Sequence, residues 1–151
     1  MRIVIQRVSE ASVTIDGVIK SAIHQGLLTL VGFEAEDSQE DLDWIVKKIV
    51  QLRIFNDEQG VMNLSVKEIN GEILVVSQFT LHAKTKKGNR PSYIGAAGPQ
   101  LAIPLYNRFV EYLSESLGKQ VQTGEFGAHM VVQLINDGPV TLIIDSKNKE
   151  L

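Results

Sequence analysis

At 151 residues, with 44% hydrophobic and 22% charged side chains, the chain has the size and composition of one globular domain with a substantial core. A formal net charge of −3 argues against a protein that coats a nucleic-acid duplex through bulk charge. The lack of cysteine removes disulfides, thiolate metal sites and a cysteine nucleophile, and no apolar run reaches the roughly 20 residues of a membrane span. The N-terminal MRIVIQRVSE alternates apolar and polar residues and has no signal-peptide core, so a cytoplasmic location is expected.

That stretch reads as a first strand, with Ile3, Ile5 and Arg7 on one face and Val4, Gln6 and Val8 on the other. Asp16-Gly17 between two β-rich runs predicts a tight hairpin, and GLLTLVGF, residues 26–33, a buried third strand. Asp37 or Ser38 is placed to cap a helix, and Ser38 with Asp41 resembles a capping box. Leu42, Ile45, Val46, Ile49 and Leu52 supply the apolar stripe of that helix. After a turn at residues 56–60, EILVVSQFTL reads as the most buried strand. It would place Ser77, Phe79 and Leu81 on one face and Gln78, Thr80 and His82 on the other. A second helix is expected from Gly98-Pro99 to Gly118, with Leu101, Leu105, Phe109, Tyr112 and Leu113 facing the core. Pro104 predicts a late start or a kink there. VQTGEF, HMVVQLI and VTLIID read as the final strands, the last two joined by a turn at Asn136-Asp137-Gly138-Pro139. The pattern predicts an α+β chain, residues 1–151 as a single domain, with a curved or barrel-like, mostly antiparallel sheet packed with two main helices.

The chemistry is less plain. A hydroxyl nucleophile would be Ser77 or Thr80, served by His24, His82 or His129, but no strained G-x-S-x-G elbow is present. The three histidines are too scattered for a metal motif, and nucleotide-binding glycine signatures are absent, so no metal or cofactor is expected. HAKTKKGNRPSY carries Lys84, Lys86, Lys87 and Arg90 without an acid, either a solvated loop or a local phosphate contact. In NDGPVT, Gly138 allows close approach of main chain to a ligand, and Pro139 stiffens the stretch and removes a donor.

SQFTL and NDGPVT, together and in that order, resemble the D-aminoacyl-tRNA deacylase family of the bacterial and eukaryotic type. The similarity extends through MRIVIQRVSEASVTIDG, LRIFNDEQGVMNLSV, KKGNRPSYIGAAGP and LYNRFVEYL, and covers residues 1–146. It implies an esterase that frees D-amino acids from mischarged tRNA without a cofactor. Ser77, Gln78, Phe79 and Thr80 would form the reaction site, with Leu81 beside them. The resemblance also implies a homodimer, in which Gly138 and Pro139 of one subunit enter the pocket of the other through a cis bond. Their carbonyls would hold the α-amino group and exclude L side chains. Glycine has no side chain to exclude, so glycyl-tRNA, including glycine mischarged on tRNA-Ala, is expected as a further substrate. The family's hydrolysis is attributed to the 2′-hydroxyl of the terminal adenosine, which makes SQFTL a positioning strand. Phe126, Met130 and Tyr93 are candidates to line the adenosine or aminoacyl end, or to be core. Lys84, Lys86, Lys87 and Arg90 would meet the arriving RNA. Two rivals remain: a module that binds the tRNA 3′ end without hydrolysis, and a conventional esterase with Thr80 or Ser77 as nucleophile.

Overall fold

A computed structural model describes residues 1–151. The strand β1 (Arg2–Ile15) is long enough to serve two partners along one edge. Its second half turns at Asp16-Gly17 onto β2 (Val18–Ile23), and both turn residues have positive φ, 50° and 77°, as a two-residue hairpin requires. Its first half pairs antiparallel with β3 (Gly26–Gly32). The opposite edge of β1 pairs antiparallel with the last strand, β8 (Val131–Asp145), from Arg2–Asp145 to Thr14–Val131.

Beyond β3 the sheet becomes parallel. Parallel neighbours need a crossover, which α1 (Gln39–Gln51) supplies before β6 (Glu72–Ser77) runs alongside β3. The two-residue β7 (Gln122–Thr123) follows parallel to β6, and is all that forms from the expected VQTGEF strand. A separate small ribbon joins β4 (Phe55–Asn56) and β5 (Met62–Leu64). The expected α+β class holds, with antiparallel pairing dominant and the sheet curled toward a barrel.

At the N-terminus of α1, Ser38 donates from both its amide and its hydroxyl to the Asp41 carboxylate, at 2.8 and 2.9 Å. Lys147 adds an ion pair at 2.7 Å. Burial alone would raise the Asp41 carboxyl, but the bonds from Lys147, Ser146 and Ser38 outweigh it and hold the group well below the usual carboxylate range. The expected stripe of Leu42, Ile45, Val46 and Ile49 is buried against the sheet, and Leu52 caps the helix half-buried.

The second helix, α2 (Pro99–Leu117), starts at its first proline and runs uninterrupted through Pro104, so the late start does not occur. It ends at Gly118 in the left-handed region (φ 83°). Its buried face is Ala102, Tyr106, Phe109, Leu113 and Leu117. That corrects the expected face by about one residue at its start: Leu101 is exposed, while Leu105 and Tyr112 are half-buried.

Two clusters divide the core. The larger lies between the sheet and both helices and includes Ile3, Ile5, Leu27, Val31, Ile45, Ile49, Phe109 and Leu113. The smaller lies on the other face of the sheet, inside its curl, with Val8, Val13, Leu28, Leu74 and Val76 packed toward Met130, Val132 and Leu134. Each buried aliphatic side chain contributes about 1.5–3 kcal/mol relative to exposure. No helix is long and apolar enough to cross a membrane.

Candidate active-site cleft

β3 and β6 end side by side, Val31 opposite Ser77. The Gln78 amide donates to the Val31 carbonyl at 2.7 Å, and there the ladder stops. β3 has reached Gly32 and β7 covers β6 only at Leu74 and Val75, so nothing remains to pair with. The chain tightens into a 3-10 turn, Phe79–His82, closed by bonds from Leu81 to Gln78 (3.2 Å) and from Ala83 to Thr80 (3.0 Å). SQFTL is therefore a strand end followed by a turn, which corrects its expected reading as continuous strand. Thr80 and His82 do not share a strand face.

Several contacts hold this turn from below. Arg2 donates to the Leu81 carbonyl at 2.8 Å while pairing with Asp145 at 2.7 Å. Burial would raise the Asp145 carboxyl, but bonds from the Lys147 amide and Arg2 outweigh it and lower it. His82 is buried, its Nδ1 3.4 Å from Glu34. Gly32 makes the crossing possible. A Cβ there would lie 2.8 Å from the Gln78 carbonyl oxygen and 3.0 Å from the His82 ring.

Above the turn lies a cleft of about 280 Å³. Ser77, Gln78 and Phe79 form one side, Gly32 and Ala102 another, and the segment Phe126–Met130 a third. Phe126 is held in the wall by an edge-to-face contact with Tyr106 at 5.7 Å. The buried Tyr106 hydroxyl donates to Val75 (3.2 Å), and burial pushes its phenol up to about 12. The walls are mostly apolar, and His129 is the one ionisable lining residue. From the cleft wall, Gln78 Nε2 donates to the Thr80 hydroxyl in the turn behind. The arrangement offers main-chain and amide hydrogen bonds, with no carboxylate to run an acid–base relay.

Of the residues singled out in the sequence, Ser77, Gln78, Phe79, Phe126 and Met130 meet at this cleft. Thr80 and Leu81 sit in the turn behind it, and Tyr93 lies outside. Lys84, Lys86, Lys87 and Arg90 are all exposed on a loop pinched at its base by Lys84–Ser92 bonds of 2.8 and 3.0 Å. No three His, Asp or Glu side chains converge on a metal-sized site.

Gly138 and Pro139 do not line this cleft. Their peptide bond is cis, and they are exposed within β8, where pairing to β1 shifts register twice. The expected turn between two strands is thus an irregularity inside one strand. Arg7, opposite Leu27, fastens it, whereas the cleft opens at Gly32, opposite Arg2. Five residues of β3 separate those positions, roughly 17 Å at a strand's rise.

The sequence reading missed Arg7 as a support. Its guanidinium is buried and donates to the Asp137 carbonyl at 2.7 Å and the Ile54 carbonyl at 2.6 Å. Asn136 completes the fastening with bonds to the carbonyls of Arg7 (3.1 Å) and Val140 (3.0 Å). The one available signal was a charge at the end of the apolar Ile3–Ile5 face. Gly32 was also missed as a cleft residue, whereas His129, weighed as a base for Ser77 or Thr80, does line the cleft.

Comparison with known proteins bears directly on this geometry. The family model described as D-Tyr-tRNA(Tyr) deacylase matches residues 4–145. The chain belongs to that family. Among its relatives, proteins named D-aminoacyl-tRNA deacylase from Bacteroides fragilis (strain YCH46) and Flavobacterium psychrophilum are each 68% identical over 150 residues. Those alignments cover 99% of this chain and all of the relatives. The solved structure titled c-Myc DNA Unwinding Element Binding Protein is 43% identical, with a TM-score of 0.92, over 96% of this chain and 98% of its own. A probable eukaryotic D-amino acid tRNA deacylase, 20% identical with a TM-score of 0.81, shares the fold across 95% of this chain and 97% of its own. The deacylase family match spans both the cleft strand end and the Gly138-Pro139 tip.

Proposed function

We propose that the chain hydrolyses the ester joining a D-amino acid to the terminal adenosine of tRNA, as a homodimer in which each cleft is completed by the partner's Gly-Pro tip. The observation that carries this reading is the character of the cleft, bounded by Ser77–Phe79 and holding no carboxylate or lysine. Such a site suits a substrate that brings its own activating group. The 2′-hydroxyl beside the ester can orient or activate a water once both are held in place. The main-chain amides of Phe79 and Thr80, which follow the last ladder bond at Gln78, and the Gln78 side-chain amide would stabilise the developing oxyanion.

In the Thr80-nucleophile alternative no histidine is hydrogen-bonded to the hydroxyl, His129 of the cleft included. The Thr80 hydroxyl accepts from Gln78, while His82 is engaged with Glu34 and its other nitrogen has no partner. For the dimer, support comes from β8, which presents Val131, Ile135 and Ile143 outward beside the tip. The tip also lines no part of the cleft of its own chain. Glycyl-tRNA is included as a substrate because a wall against L side chains has nothing to reject in glycine. The reading places the protein in the cytoplasm with the charged tRNA pool.

Amino-acid release from D-tyrosyl-tRNA and L-tyrosyl-tRNA, measured in parallel, tests the proposal. Release from the D ester alone is expected. Equal release from both removes the exclusion pocket. Tight binding of tRNA without release supports instead a module that holds the 3′ end.

A further inference from the structure

Phe79 has two neighbourhoods. It contributes to the cleft wall, yet 55% of the residue is exposed, whereas Phe33, Phe55 and Phe109 are at most 3% exposed. Outside the cleft its ring meets Tyr93 edge-to-face, centroids 5.1 Å apart at 76°. Tyr93 is itself 40% exposed, and Ile94 beside it 85%. A pair this open adds little to the core. Its position is nevertheless fixed, because the Lys84–Ser92 bonds close the loop just before Tyr93, and the Ala96 amide donates to the Tyr93 carbonyl at 3.0 Å.

The surrounding charge is one-sided. Residues 79–98 contain Lys84, Lys86, Lys87 and Arg90 and no carboxylate, in a chain whose net charge is −3. None of these four cations is in an ion pair within the chain. Exposed aromatic rings beside unpaired cations are how proteins hold single-stranded nucleic acid. The rings stack on bases of any identity, and the cations follow the phosphates.

We infer that Phe79 and Tyr93 form a stacking platform for the unpaired nucleotide that immediately precedes the terminal adenosine, with Lys84 close to its phosphate. The inference rests on the deacylase reading, since it is the adenosine in the cleft that brings the preceding nucleotide across Phe79. A polynucleotide fits this surface better than an apolar protein partner, because the aromatic patch is small and ringed by cations. Stacking one nucleotide upstream would fix the ribose relative to Ser77–Phe79, turning RNA binding into orientation of the ester. Tyr93 acts here as a positioning residue, remote from the reacting atoms.

The test compares D-tyrosyl-adenosine, the dinucleotide D-tyrosyl-cytidylyl-adenosine and D-tyrosyl-tRNA on the intact protein, Tyr93→Phe and Tyr93→Ala. In the intact protein the added nucleotide is expected to lower KM by roughly tenfold or more. Tyr93→Phe keeps that gain. Tyr93→Ala abolishes it while leaving kcat/KM for D-tyrosyl-adenosine unchanged. No gain from the added nucleotide in the intact protein, or an equal loss on all three substrates in Tyr93→Ala, overturns the platform. Dissociation of Tyr93→Ala during gel filtration overturns it as well, by making the pair a subunit contact. Failure of the intact protein on every D-tyrosyl ester would sink the deacylase reading itself, which is a separate outcome.

Discussion

The buried guanidinium of Arg7 donates to the main-chain carbonyl of Asp137, 130 residues away, and so ties the first strand to the Gly-Pro tip. The same side chain donates to Ile54 at 2.6 Å, so one planar group holds two carbonyls at once. Arg7→Lys keeps the charge but cannot span both. It is expected to lower stability by about 1–3 kcal/mol, because a buried carbonyl loses its donor. Release from D-tyrosyl-tRNA is expected to fall at least tenfold. Urea midpoints and the release assay read the two effects, and full activity in Arg7→Lys would separate the tip from this support.

Gly32 is the second sensitive point. Its absent Cβ leaves room for both the Gln78 carbonyl and the His82 ring, at 2.8 and 3.0 Å from where a methyl would stand. Gly32→Ala must push the turn away from the end of β3. Overpacking of this kind costs about 1–3 kcal/mol. Since the displaced atoms border the cleft, activity on D-tyrosyl-tRNA should fall by roughly tenfold while gel-filtration behaviour stays unchanged. A variant with wild-type kcat/KM would show that the turn tolerates the shift.

The source of the activating hydroxyl can be read from substrate and protein variants together. Ser77→Ala and Thr80→Ala are each expected to stay within about tenfold of wild type in kcat, because neither hydroxyl is hydrogen-bonded to a histidine or carboxylate. A D-tyrosyl-tRNA ending in 2′-deoxyadenosine, esterified at its 3′ position, is expected to lose 100-fold or more, the scale of a lost general-acid or base contribution. Collapse in Thr80→Ala with tolerance of the deoxy substrate would restore the protein nucleophile.

Asp41 links folding to acid. Its folded carboxyl titrates below the ordinary value of about 3.9, so its stabilisation is fully present above that value. It is lost as pH falls below about 4 toward the folded value. Asp41→Asn should therefore be less stable than wild type at pH 7 by about 1–2 kcal/mol, the size of a capping bond plus an ionic one. The gap should narrow at pH 3. Urea midpoints at the two pH values test this, and equal midpoints at pH 7 would remove Asp41 from the account.

Where periodicity alone decides, the sequence was a good guide. The Asp16-Gly17 hairpin, the Ser38 cap and the Leu42–Ile49 stripe all follow from local spacing, and all form. The end of β6 did not follow, because Ser77 to Leu81 alternates as a strand would. What stops it is the absence of a neighbour beyond Gly32 and Val75, a fact about other strands. In α2 the larger side chain of Leu101 drew attention from Ala102, although the smaller residue is the one that reaches the sheet side. The tip at Gly138-Pro139 reads locally as a turn; pairing with β1 on both sides, fastened by Arg7 and Asn136 across 130 and 129 residues, makes it part of a strand. Of the cleft, Ser77–Phe79, Phe126 and Met130 were legible, but Thr80 and Leu81 lie in the turn behind it, and that the tip lines no part of it was not legible.

The pairing of β1 with β8, the first strand with the last, also has a kinetic side. Until β8 docks, one edge of β1 carries fourteen residues of unpaired backbone, open to another chain. Closing a loop of that span is among the slower events in folding, and it comes after the hairpin and α1 can already form. The edge is best protected once the final strand arrives, and that strand also delivers the tip. A truncation that removes β8 should therefore aggregate through β1, beyond simply losing activity.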